Sequence, residues 1–370
     1  MADSNLHKLS ARGQSVWIDS LSRTMLESGE LARLVKDDAV VGVTTNPTIF
    51  QKAMSEGGAY DEQIRELAGK ETDAKEIFLQ LSSHDVEQAL DLFVDVHDAD
   101  PEDGFVSWEV DPTLAYDREA TFEEAMRLHA WLDRPNLYVK IPGTKPGLQA
   151  IEDCIAAGRS INVTLLFSLQ MHKKAMEAYV LGLERFVEGG GDAAKVRSVA
   201  SFFVSRVDTE TDKRLEAIGS DEALALRGKL AVANARIAYQ HYKEVFSGSR
   251  WEALAAKGAL PQRCLWASTS TKNPEYRDVL YVEDLIGPDT VNTMPEETIQ
   301  AFQDHGEVRG DTVENDLEQA RALLHEKLPA VGVDYDDVVA TLEKEGVQKF
   351  SDSFKELLDG VRAKRETVAA

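Results

Sequence analysis

Short apolar runs rich in β-branched residues recur along the chain, and amphipathic stretches fill the intervals between them. The runs cover residues 16–19, 40–44, 104–109, 137–141, 161–165, 199–204, 263–268 and 290–293. Strands alternating with helices predict βαβ units and a parallel sheet. Thr121-Phe122-Glu123-Glu124 reads as a capping box that starts a helix and places Glu124 at its third position. Leu226, Leu230, Ala233 and Ile237 fall on one helical face by their spacing. Pro295 followed by Glu296 and Glu297 reads as a helix first turn. About eight strand–helix units fit a TIM barrel, an α/β fold, and the long intervals after Thr44 and Val204 leave room for additional helices. A doubly wound sheet would carry a glycine fingerprint after its first strand, where this chain has Ser20-Leu21-Ser22-Arg23. No phosphate-loop motif occurs. Residues 188–192 are too short to be a linker, so residues 1–370 are read as a single barrel domain with N-terminal and C-terminal helical extensions.

Charge narrows the partners. The formal net charge is −24, a field that repels nucleic acid and makes any anionic substrate depend on a local cationic pocket. No apolar run is long enough to span a bilayer, and Met1-Ala2-Asp3-Ser4-Asn5 carries neither the basic nor the apolar region of a secretory signal. Cys154 and Cys264 lack metal-ligand spacing and fit a reducing, cytoplasmic compartment.

The predicted strands end in a series of polar residues: Asp19, Thr44-Thr45-Asn46, Glu109, Lys140, Asn162 with Thr164, Ser201 with Arg206 beyond it, and Ser268. In a TIM barrel these ends form one face, so the side chains would converge. Lys140 stands in the apolar stretch Leu137-Tyr138-Val139-Lys140-Ile141. It is either a structural lysine, snorkelling from an edge strand or paired with Glu109, or a desolvated amine that attacks a carbonyl. Glu109 and Asp19 are candidate acid–base groups, each with a helix cap or a salt bridge as its alternative. Arg206 with Ser201, and Lys272 with Ser268, are candidate phosphate clamps, with a solvated basic residue as the alternative. Asp98, Asp100, Glu102 and Asp103 have the density of a calcium loop, but the glycine is misplaced and Pro101 interrupts them. The histidines show no zinc spacing, and Met171-His172-Lys173-Lys174 reads as a solvated helix face.

Three blocks together resemble the transaldolase family: residues 42–50 (Gly-Val-Thr-Thr-Asn-Pro-Thr-Ile-Phe), 137–144 (Leu-Tyr-Val-Lys-Ile-Pro-Gly-Thr) and 161–168 (Ile-Asn-Val-Thr-Leu-Leu-Phe-Ser). The resemblance runs from about Asp19 to the C-terminal helices. It implies a TIM barrel with a Schiff-base lysine on its fourth strand. It also implies transfer of a dihydroxyacetone unit from sedoheptulose 7-phosphate or fructose 6-phosphate to an aldose phosphate, without cofactor or metal. In that reading Lys140 is the nucleophile, Asp19 the base in carbon–carbon cleavage, and Glu109 acts through a water with Thr164. Asn46, beside Thr45, and Asn162 hold substrate hydroxyls, while Ser201, Phe203 and Arg206 supply substrate and phosphate contacts. The family's Ala-Ser-Phe-Arg-Asn phosphate block stands here as Ala267-Ser268-Thr269-Ser270-Thr271-Lys272-Asn273, with lysine for arginine and two extra residues. Phe202 stands where a proline is common. A plain fructose 6-phosphate aldolase is an alternative, against which Glu109 argues, because the short aldolase relatives carry an amide there. A non-catalytic sugar-phosphate-binding barrel is another. The expected partners are sugar phosphates, and the expected assembly is a monomer or homodimer.

Overall fold

Each apolar run becomes a strand. The computed structural model describes residues 4–55, 57–70 and 73–369. The strands are β1 (Gln14–Ile18), β2 (Val40–Val43), β3 (Phe105–Glu109), β4 (Leu137–Pro142), β5 (Ile161–Leu166), β6 (Ser198–Phe203), β7 (Arg263–Ala267) and β8 (Thr290–Met294). They close in sequence order into a parallel barrel in which β8 pairs with β1. Closure explains the apolar runs: helices cover the outer face, side chains fill the inner one, and no edge remains. Among the described residues no helix is long and apolar enough to cross a membrane.

Both long intervals hold extra helices. After β2 come Pro47–Ser55, Asp61–Ala68, Ala74–Leu92 and Val94–Ala99. After β6 come Ser205–Ile218, Asp221–Leu224, Leu230–Val245 and Ser249–Ala255. Some helix starts differ from the sequence reading. The helix Arg118–Trp131 is capped by Asp117, which accepts from the Ala120 amide at 3.0 Å. Thr121 lies inside it, its hydroxyl donating to the Leu114 carbonyl, and Glu124 pairs with Lys75 at 3.0 Å. Leu226 precedes the helix carrying Leu230, Ala233 and Ile237, and Pro295 is the cap of Glu296–His305 rather than its first residue. His172 is fully buried, edge-on to Phe202, so only Lys173 and Lys174 of that tetrad face solvent.

Side-chain alternation decides what enters the barrel. Trp108 points outward, its indole donating to Ser82 of the helix Ala74–Leu92, so Ser107 and Glu109 point inward. The lower interior holds a polar plug: Arg263 donates to Ser15 at 2.8 Å and pairs with Asp103 at 3.0 Å. Asp103 also accepts from Ser15 and Trp17, so the acidic stretch considered as a calcium loop supplies this internal ion pair. Above the plug, Phe105 stacks on Tyr138 at 4.0 Å. Higher still, Ser201 donates to Asn162 at 2.7 Å and Asn162 donates to Ser107 at 3.0 Å. Gly42 makes room for the Trp17 ring, which an added Cβ would meet at 2.5 Å.

The long helix Tyr335–Ala369 crosses the mouth of the barrel. The Tyr335 hydroxyl accepts from the Leu169 amide and donates to Asn234, and Ser353 accepts from Thr48. Phe354 packs edge-on to Phe78. Near the end of this helix, Lys364 pairs with Asp61 at 2.9 Å, which ties down the charged C-terminal stretch.

Candidate active site

Register brings the central groups together. Glu109 of β3 lies opposite Lys140 of β4, and Lys140 lies opposite Asn162 of β5. Lys140 is 4% exposed; its Nζ lies 3.3 Å from Glu109 Oε2 and donates to the Thr45 carbonyl at 2.8 Å. A closed barrel has no edge, which excludes the snorkelling alternative, while the pairing with Glu109 is real. Structural pairing alone is costly, because desolvating two charges consumes much of their attraction.

The two carboxylates sit in different surroundings. Glu109 is 7% exposed, and neither of its oxygens has a hydrogen-bond partner among the described residues. Burial pushes its carboxyl up to about 7, against the opposing pull of Lys140. Asp19 follows β1 and reaches the cavity; its Oδ1 accepts from Thr44 at 2.6 Å, and Thr293 braces Thr44 at 2.7 Å. Burial raises Asp19 as well, while Lys140 and the Thr44 hydroxyl oppose the shift. Two carboxylates flank one amine, one held by a threonine hydroxyl and one only by the lysine itself, which is how acid and base roles become separable.

Backbone irregularity adds to the site. The β5–β6 register shifts between Val163 and Leu166, and Leu165 has φ +58°. A bulge re-aims the neighbouring side chain. That neighbour, Thr164, is fully buried with its hydroxyl unpartnered among the described residues. Ser268 has φ +57°, and its hydroxyl bonds that of Ser205 at 2.8 Å.

A cavity of about 100 Å³ joins Asp19, Asn46, Lys140, Ser201, Phe203, Arg206, Ser268 and Lys272. Asn46 spends its carbonyl oxygen capping the helix Pro47–Ser55 through the Ile49 amide, and its amide nitrogen stays free among the described residues. Arg206 makes no hydrogen bond or salt bridge among the described residues; it lies 5.0 Å over the Phe203 ring. Burial lowers its guanidinium, opposed by the fields of Asp19 and Glu109. Lys272 donates to Ser270 at 2.6 Å and is otherwise exposed.

Two expected substrate contacts have their side chains hydrogen-bonded within the protein. The Thr45 hydroxyl donates to the Ser107 carbonyl at 2.7 Å, away from the cavity, so this residue meets Lys140 through its backbone. The Asn162 side chain is held at both ends by Ser107 and Ser201, directly opposite Lys140 in register.

The sequence reading missed two residues of the C-terminal helix. Phe350, 2% exposed, lines the cavity with its ring 6.0 Å from Lys140 Nζ and 5.8 Å from the Arg206 guanidinium. Lys349 stands in the field of Arg206 and Lys272, whose charges, together with burial, hold its ammonium below the usual lysine range. No local signal marks either residue; both reach the site through the path of their helix across the barrel mouth.

A buried amine between carboxylates, at the mouth of an eight-stranded parallel barrel and beside an unpaired guanidinium, is the constellation of a lysine-dependent barrel enzyme for anionic substrates. The chain belongs to the transaldolase/fructose-6-phosphate aldolase family, whose model matches residues 16–361. It is 54% identical to a transaldolase of Acidothermus cellulolyticus over 98% of both chains. It is 53% identical to transaldolases of Mycolicibacterium smegmatis (97% of this chain, 96% of the relative) and Mycobacterium tuberculosis (99% and 98%).

Proposed function

We infer that this chain is a transaldolase acting on sugar phosphates in the cytoplasm. The observation that carries the reading is Lys140: an amine 4% exposed, 3.3 Å from the Glu109 carboxylate, in one cavity with Asp19 and Arg206.

The Lys140 amine attacks the C2 carbonyl of a ketose phosphate, and loss of water from the adduct gives an imine. Glu109, with a water held by the Thr164 hydroxyl, carries protons to and from the departing oxygen. Asp19 takes the proton of the C4 hydroxyl as the C3–C4 bond breaks. The aldose phosphate leaves, and the three-carbon unit remains on Lys140 as an enamine. An acceptor aldose phosphate enters, the enamine carbon attacks its aldehyde, and Asp19 returns the proton to the new hydroxyl. Hydrolysis of the imine frees the product. Arg206, unpaired among the described residues, receives the phosphate, with Lys272 and Lys349 adding attraction. Phe350 closes the mouth and shields the enamine from water.

The test is acceptor dependence. Fructose 6-phosphate with erythrose 4-phosphate should give sedoheptulose 7-phosphate, with little free dihydroxyacetone when the acceptor is omitted. Rapid acceptor-independent release of dihydroxyacetone would make the chain an aldolase instead.

A further inference from the structure

A larger cavity, about 500 Å³, opens at the opposite end of the barrel. It lies where β4, β5 and β6 begin, with Leu137, Ser160 and Arg197 in its wall. Four cations line it, Arg134, Arg159, Lys195 and Arg197, against one carboxylate, Asp133. In a chain of net charge −24 this concentration of positive charge is the reverse of the overall field.

The cations are not all committed. Arg134 is, since it pairs with Glu87 at 3.1 Å and Asp91 at 3.0 Å. Arg159 reaches only Asp133, at 3.5 Å, and its buried Nε has no partner among the described residues. Lys195 is exposed and pairs with no carboxylate among the described residues. Arg197 is 8% exposed, and no carboxylate neutralises it among the described residues. Its Nε donates to the Pro101 carbonyl at 3.3 Å and its Nη1 to the Val196 carbonyl at 3.1 Å, which fixes the guanidinium plane and leaves Nη2 free. A buried guanidinium held by two neutral carbonyls and lacking a counter-ion is a built anion receptor, because the carbonyls satisfy hydrogen bonds without neutralising the charge.

We propose that this cavity binds a small phosphate-bearing anion at a site separate from the barrel mouth. Arg197 supplies the oriented donors, Arg159 and Lys195 add charge, and the volume admits a ligand larger than a single phosphate group. A concave pocket with its strongest cation at depth suits a small molecule better than the flat surface of a protein partner.

The probe is inorganic pyrophosphate, titrated calorimetrically into the full chain in phosphate-free buffer. Lys195→Glu reverses an exposed charge, leaves the fold and the catalytic groups untouched, and should weaken this binding at least tenfold. Arg197→Gln should do the same. Arg206→Ala, at the other end of the barrel, should remove only pyrophosphate bound at the mouth and leave binding in this cavity unchanged. Binding that survives both Lys195→Glu and Arg197→Gln, or that disappears in Arg206→Ala alone, overturns the proposal; in the second case the anion occupies only the barrel mouth and the reading of Arg206 stands. No pyrophosphate binding by the parent chain overturns it outright, and a sedimentation shift toward smaller species in Lys195→Glu would then make the basic cavity a contact between copies.

Discussion

Glu109→Gln keeps the shape of the side chain and removes its proton chemistry. A carboxyl at its ordinary value near 4.5 would be only about 0.3% protonated at pH 7. Burial raises Glu109 to about 7, against the pull of Lys140, which brings the acid form within reach of neutral pH. Glutamine supplies neither form. Turnover should fall on the order of a hundredfold to ten-thousandfold, about 3 to 5 kcal/mol of barrier, with a smaller change in KM. The pH profile of kcat should lose an inflection near 7 that the parent shows. Stability gives a second readout with a defined sign. A carboxyl raised in the folded state contributes stability that is present below about 4.5 and lost as pH rises through about 7. Between those values the parent should lose up to about 3 kcal/mol through this group, and Glu109→Gln should lack that slope. Steady-state kinetics from pH 5 to 9 and urea melts over the same range make the measurement. Normal kcat with raised KM, or an unchanged inflection, would refute the acid–base role.

The other perturbations address the phosphate end, the base and the scaffold. Arg206→Ala should lower both turnover and affinity, by tenfold to a hundredfold on fructose 6-phosphate, because the lost charge-assisted bonds are worth about 1.5–3 kcal/mol. Equal losses on unphosphorylated fructose would remove its phosphate role. Lys272→Ala and Lys349→Ala should mainly raise KM for the phosphorylated sugar, and a kcat loss exceeding that of Arg206→Ala would reverse the ranking. Asp19→Asn should still form the imine yet stall at carbon–carbon cleavage, so borohydride trapping would persist while transfer is lost; loss of trapping would assign Asp19 an earlier step. Gly42→Ala places a methyl 2.5 Å from the Trp17 ring and should destabilise by about 1–3 kcal/mol in denaturant melts, whereas no change would mean the ring can shift.

Periodicity made the strands legible because a parallel barrel buries both strand faces, and that leaves continuous apolar runs. It located Asp19, Glu109 and Lys140 for the same reason, since a charged residue near the end of such a run has few places to go but the barrel mouth, and Arg206 follows just beyond β6. Caps were less legible. Thr121 reads as the cap, but its hydroxyl is taken by the Leu114 carbonyl and Asp117 caps the helix instead. Side-chain direction at Thr45 depends on the Ser107 carbonyl, a contact between strands 62 residues apart in sequence. His172 looked solvated beside two lysines, although its ring fills a space against Phe202. Phe350 and Lys349 carry no local mark at all, since their placement follows from a helix returning over β4 and β6 from the far end of the chain.

The central claim is that Lys140 forms the covalent intermediate. Borohydride reduction in the presence of fructose 6-phosphate, followed by peptide mass spectrometry, tests it directly. A reduced three-carbon adduct on Lys140, absent from a folded Lys140→Arg variant that also lacks transfer activity, is the expected result. An adduct on another lysine, or near-parental turnover in the folded variant, would contradict it.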